Sequence, residues 1–164
     1  MANSRNVCGT RRAIPARKRG FVMIALALSI FFLLGIVGLA VDLGRMYVVR
    51  NESQSFCDSA ALFAAKELDG TATGVANALN KVTWVAQDPD GPMKGFEFGT
   101  RQFQNITTEF ATDWNGPTWV DAATAAADPT NYYFVRVQTH NPVNLWFLPV
   151  IVGSDAGSVA AMAV

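Results

Sequence analysis

Charge is scarce in this chain: 16% of its 164 residues are Asp, Glu, Lys or Arg, where soluble domains carry about 25%. Histidine occurs once, at His140, and cysteine twice, at Cys8 and Cys57. A lone histidine beside Asn141-Pro142, in an expected turn, is a poor start for acid/base chemistry. Two thiols do not complete a zinc site. Gly-x-Ser-x-Gly, His-Glu-x-x-His and phosphate-binding glycine loops are all missing, so nothing points to a catalytic residue, a metal, a cofactor or a small-molecule substrate. The length suits one compact domain with an anchor.

The balance of 13 basic and 13 acidic residues hides a separation. Arg5, Arg11, Arg12, Arg17, Lys18 and Arg19 all precede Gly20, and no acid appears before Asp42. The remainder is acidic, which argues against nucleic acid as a partner. Between these parts, Gly20 to Val41 contains no Pro, Asn, Gln or charge, and Ser29 is its one polar side chain. As a helix this run is about 33 Å long, enough to cross a hydrocarbon core of about 30 Å. A soluble helix of that length needs a polar face, and none is present. The bilayer is therefore the first expected partner. The cluster Arg11, Arg12, Arg17, Lys18 and Arg19 sets the orientation, holding the amino terminus in the cytoplasm and sending the rest across. Gly38 and Ala40 also suit a signal peptidase, although the apolar run exceeds the roughly 7 to 15 residues of such signals.

Past the apolar run the helix is expected to continue to Leu68 and stop at Asp69-Gly70. Met46, Val49, Phe56, Ala60 and Phe63, with Cys57, Ala61, Ala64 and Leu68 beside them, form one apolar stripe that needs a sheet to cover it. Arg45, Glu52, Ser55, Ser59 and Lys66 fall opposite. Asp42 and Arg45 either pair across one turn or mark the interface. Ala40 with Gly44, and Ala25 with Ser29, are small residues at the spacing that lets another helix approach. Cys57 is either a packed residue on the helix or one half of an intermolecular disulfide.

Arg17-Lys-Arg-Gly20, the apolar run, Gly38-Leu-Ala-Val-Asp-Leu-Gly-Arg-Met-Tyr47 and Ser59-Ala-Ala-Leu-Phe-Ala-Ala65 resemble the amino-terminal region of TadG-like proteins of Tad (Flp) pilus assembly. The block Ala40, Val41, Asp42, Leu43, Gly44 and Arg45 is the most distinctive part. Tyr133 to Val137 and Ser158 to Val164 look similar to late strands of that family. The resemblance implies a bitopic inner-membrane protein that supports or joins a filament of the type IV pilus class, with other pilus-assembly or pilin subunits as partners and no reaction of its own. The metal-binding Asp-x-Ser-x-Ser motif of larger members is missing. Lys18-Arg-Gly-Phe21 also looks like a prepilin cleavage site, but Ala25 stands where pilins usually place Glu, leaving a new terminal ammonium uncompensated in lipid.

Residues 70 to 93 read as a connecting region, with Val75 to Asn80 helical, Val82 to Val85 extended and Asp88-Pro-Asp-Gly91 a turn. Phe96 to Phe103, Tyr132 to Gln138 and Gly157 to Val164 are expected strands, and Asp121 to Ala127 a short helix or loop. Val143 to Val152 carries one polar side chain, Asn144. There Trp146, Phe147 and Ile151 either cap the core or form a partner surface. The expected fold is α+β and pilin-like, a long transmembrane helix continuing into an amphipathic helix packed on a small antiparallel sheet. Its parts are a basic cytoplasmic head (1–19), a transmembrane helix (20–41), and an extracytoplasmic domain (42–164). A membrane-tethered binding module is the alternative.

Overall fold

The computed structural model describes residues 17–87, 92–93, 95–153 and 156–164. The chain divides into two compact units, with the boundary between Val37 and Gly38. Helix α1 runs over Arg17–Ala65. Within the first unit, every residue from Gly20 to Val37 is exposed, including Phe21, Phe31, Phe32 and Leu34. Eighteen successive exposed positions without one charge have no protein core to serve, and by length and composition the helix is able to cross a membrane.

The second unit is α+β. Its elements after α1 are α2 (Ala72–Gln87), β1 (Thr107–Ala111), α3 (Ala122–Ala127), a 3-10 turn (Pro129–Asn131), β2 (Phe134–Asn144), α4 (Leu148–Val152) and β3 (Ala156–Ala163). The strands form one antiparallel sheet in the order β1-β2-β3. The stripe on α1 meets this sheet as its spacing requires: Val49, Phe56, Cys57, Ala60, Ala61 and Ala64 share a core with Val135, Val137, Val143, Val159 and Ala161. Phe56 stacks on Phe103 at 4.2 Å between ring centroids, and Phe63 meets Trp84 of α2 edge-on at 5.5 Å. Cys57 is a free, buried thiol in this core. Burial, with the Asp58 charge beside it, pushes its pKa up to about 12, which suppresses the thiolate needed for disulfide chemistry.

The structure departs from the sequence reading in several elements. Residues 72–87 form one helix, so Val82 to Val85 is helical rather than extended; Val75, Ala78, Val82 and Val85 face inward at helical spacing. Thr71 caps this helix by accepting the Gly74 amide at 3.0 Å, and Asp69 in turn accepts the Thr71 amide at 2.9 Å. Phe96 to Phe103 is not a strand: Phe96 and Arg101 form an isolated bridge around a tight turn, with Glu97, Phe98 and Gly99 all at positive φ. The strand β1 lies in a stretch whose mixed composition gave no alternation. Asp121 caps α3 through the Thr124 amide. Asp88 to Gly91 lies outside the described residues.

The largest departure is β2, which continues six residues past Gln138. His140 therefore lies mid-strand, exposed, and not in a turn. The inward positions of β2 are Val135, Val137, Thr139, Asn141 and Val143, and the two polar residues among them broke the apolar alternation. Both are buried and satisfied. Asn141 donates to Ser53 Oγ of α1 at 2.9 Å and accepts the Gln104 amide at 2.8 Å, while the Thr139 hydroxyl donates to the Gln104 carbonyl at 2.8 Å. Pro142 is tolerated because β1 pairs only as far as Gln138, leaving β2 a single neighbouring strand there. Truncating Asn141 to Ala strands the Gln104 amide and the Ser53 hydroxyl, at a cost of about 1–3 kcal/mol; urea unfolding monitored by circular dichroism is expected to show that loss, with an unchanged m-value.

Candidate interaction site at the end of the apolar run

An acid placed directly after a long apolar run needs donors if it is to be buried charged. Asp42 is fully buried, and its donors are three successive backbone amides. Trp146 N–H donates to Oδ1 at 3.0 Å, and Phe147 and Leu148 N–H donate to Oδ2 at 2.8 and 2.6 Å. These amides open the short helix α4, whose N-cap residue, Phe147, has no side-chain acceptor to offer. Asp42 supplies from α1 the acceptor that a Ser or Asp at the N-cap would normally provide. Burial alone would push the Asp42 carboxyl up, but the three amides, helped by Arg45, outweigh it and hold the pKa below the ordinary value of 3.8.

Arg45 binds the same loop by other groups. Its guanidinium donates to the Asn144 carbonyl at 2.8 Å and to Glu97 Oε1 at 3.1 Å, and lies 4.3 Å from the centroid of the Trp146 ring. Seven residues on, Glu52 accepts the amides of Glu97 and Phe98 at 2.7 and 3.0 Å. Those two residues sit at φ +52° and +59°, a left-handed conformation costly for L side chains, so the carboxylate fixes a strained turn that leaves Phe98 exposed. Arg45 and Glu52 thus do not form an outward polar face; they reach the loops of the sheet domain. Asp42 and Arg45 each hold a different part of one loop.

The remaining expected residues fall as follows. Ala40, Val41, Leu43 and Gly44 are exposed; a Cβ on Gly44 would meet nothing within 4 Å, and this glycine floors a groove walled by Val48, Phe98 and Trp146. Gly38, by contrast, is covered: a Cβ there would lie 2.6 Å from the Phe147 ring and 2.8 Å from its Cβ. Trp146 and Phe147 remain at the surface, 64% and 46% exposed, and do not cap the core, while Ile151 belongs to α4. Of the basic cluster, Arg17, Lys18 and Arg19 occupy the first turn of α1, and Arg11 and Arg12 lie outside the described residues. Sequence reading missed Ser53, Glu52 and the loop amides as partners. The available signal was a Leu-Pro helix start with no polar N-cap, paired with a lone acid at the end of an apolar run. Among the described residues, no group of three or more His, Cys, Asp or Glu is arranged to hold a metal ion.

Residues 20–67, the segment that carries Asp42, Arg45, Glu52 and Ser53, match the family described as putative Flp pilus-assembly TadE/G-like. Over that segment, which is less than half of the chain, the sequence is similar to the TadE/G-like family. No curated protein and no solved structure matches it. The TadE/G-like segment and the apolar helix within it support a role in Tad pilus assembly and a membrane location, and the family suggests a structural role rather than catalysis. Of the polar residues of this segment described above, Asp42, Arg45 and Glu52 hold loops and Ser53 holds strand β2.

Replacing Asp42 by Asn removes a charged acceptor, and D42N is expected to lower Tm at neutral pH. Because the folded pKa is depressed, the wild-type advantage is complete above the unfolded value of about 4 and is lost as pH falls through the folded one. Thermal melts of both proteins from pH 7 to pH 2 check this: the two Tm values should converge only at the acid end. Gly38→Ala forces Phe147 away and is expected to destabilise by about 1–3 kcal/mol, whereas Gly44→Ala, in open space, is expected to be neutral or to stabilise by up to about 1 kcal/mol. Parallel urea titrations of the two variants measure the contrast.

Proposed function

We propose that this chain is a bitopic inner-membrane protein that acts structurally in assembly of a Tad/Flp-type pilus, as a minor pilin-like component or an assembly factor. In this reading, residues 1–19 are a cytoplasmic basic head, 20–41 cross the bilayer, and 42–164 form a periplasmic domain. The observation that carries it is the division within the TadE/G-like segment. Its first half, up to Val41, exposes only apolar side chains and Ser29, and its second half, from Asp42, commits Asp42, Arg45 and Glu52 to fastening loops of the sheet domain and Ser53 to fastening strand β2. The first half is suited to lipid and the second to presenting a fixed protein surface, and neither arrangement offers a nucleophile with its base. The +6 head, with no acid before Asp42, favours retention of the amino terminus in the cytoplasm. Other pilin or pilus-assembly subunits are the partners of that surface.

Alkaline phosphatase fused after Val164 is expected to be active in a bacterium, and the native chain to stay in the membrane pellet through carbonate extraction. Deletion in a piliated host is expected to abolish surface Tad pili. An inactive fusion together with a freely soluble chain overturns the reading. The mass of the mature protein separates its forms: an intact amino terminus marks an assembly factor held in the membrane, and loss of the first twenty residues marks a processed subunit.

A further inference from the structure

We infer that the Leu145–Gly153 segment is a lipid-binding collar, which seats Trp146, Phe147 and Val150 in the headgroup and upper acyl layer of the bilayer beside α1. This inference rests on the reading that residues 20–41 cross the membrane, and it adds a second, non-helical point of lipid contact to that reading.

Depth is set by the Phe147 contact. Phe147 covers Gly38 closely enough that no side chain fits between them. Gly38 lies three residues before the end of the uncharged run, about 4.5 Å along a helix axis. Whatever surrounds the last turn of that run also surrounds Phe147. The segment is composed for that medium, since Leu145 to Gly153 contains no polar side chain but the Trp146 indole. Trp146, Phe147 and Val150 are 64%, 46% and 86% exposed, a large apolar surface for water to cover.

Charge has been removed from the same level. Asp42 and Arg45 are the only charged residues of α1 between Gly20 and Val49. Asp42 is buried on the three loop amides, and Arg45 is bonded to Asn144 and Glu97. What α1 shows outward around them is Leu39, Val41, Leu43 and Tyr47, all exposed. An indole with a cation against its ring, together with a tyrosine and aliphatic side chains exposed on the same stretch of α1, is the composition that settles at a membrane interface. A second protein chain would be expected to leave some charge or hydrogen-bonding group on this surface for register. Beyond the indole N–H of Trp146 the collar has neither, and its occupant is a lipid surface.

The test uses the full chain reconstituted in phosphatidylcholine vesicles, with acyl chains unmodified or brominated near the headgroup. Bromine quenches tryptophan only at contact range. W146F is expected to lose at least half of the wild-type quenching, and W114F, which removes another exposed tryptophan, to keep it. A photoreactive phenylalanine analogue in place of Val150 is expected to form adducts of lipid mass. Equal quenching of W146F and wild type, or an adduct joining Val150 to a second protein chain, overturns the collar. Flotation with the vesicles after carbonate treatment separates the two levels. A chain that floats yet lacks quenching at Trp146 refutes the collar alone, and a chain that does not float refutes the membrane-spanning reading beneath it.

Discussion

A carboxylate at the end of an uncharged run of 22 residues is unstable there unless donors surround it, and the account of this protein depends on how Asp42 meets that demand. Three consecutive amides converge on it, and in return it caps a helix that has no cap of its own. Each group solves the other's desolvation problem. The consequence is positional: a loop 104 residues away in sequence is fixed to α1 at the point where the apolar character ends. Arg45 and Glu52 extend the same principle along the helix, using charge to hold backbone groups of loops rather than to face water. Such charge-assisted bonds to backbone are directional and specify one loop geometry.

This pattern explains why a long helix here carries polar residues on what looks like its outer face. In a free amphipathic helix, Arg45, Glu52, Ser55, Ser59 and Lys66 would form a solvated stripe. Here the domain wraps further around α1 than the apolar stripe alone requires. Arg45 and Glu52 lie beneath loops, and Ser53 sits in the core bonded to Asn141; only Ser55 and Lys66 remain fully exposed. The sheet is thereby attached by an apolar seam from Val49 to Ala64 and by polar fastenings to either side of it.

Much of the fold was legible because it rests on periodicity. The helical stripe from Val49 to Ala64, the apolar run and the closing strand all follow local rules, and the structure contains them; Asp121 to Ala127, expected as a short helix or a loop, is a helix. What was not legible depended on partners distant in sequence. Thr139 and Asn141 look like the end of a strand until Ser53 and Gln104 are seen to satisfy them. Phe96 to Phe103 alternates like a strand, yet Glu52 holds its centre in a left-handed turn. Val82-Thr-Trp-Val85 has strand-like residues, but the inward spacing of its neighbours in α2 overrides that preference. Asp42 and Arg45 stood out by position, but their partners, the amides of Trp146 to Leu148 and the Asn144 carbonyl, carry no residue-type signature at all.

Hydrogen–deuterium exchange of the peptide containing Trp146, Phe147 and Leu148, in the full chain held in lipid nanodiscs, tests the Asp42 fastening most directly. The account predicts amides protected to nearly the degree of the β2 core and released together in an Asp42→Ala variant. Exchange at the rate of an open loop in the wild-type protein would contradict it.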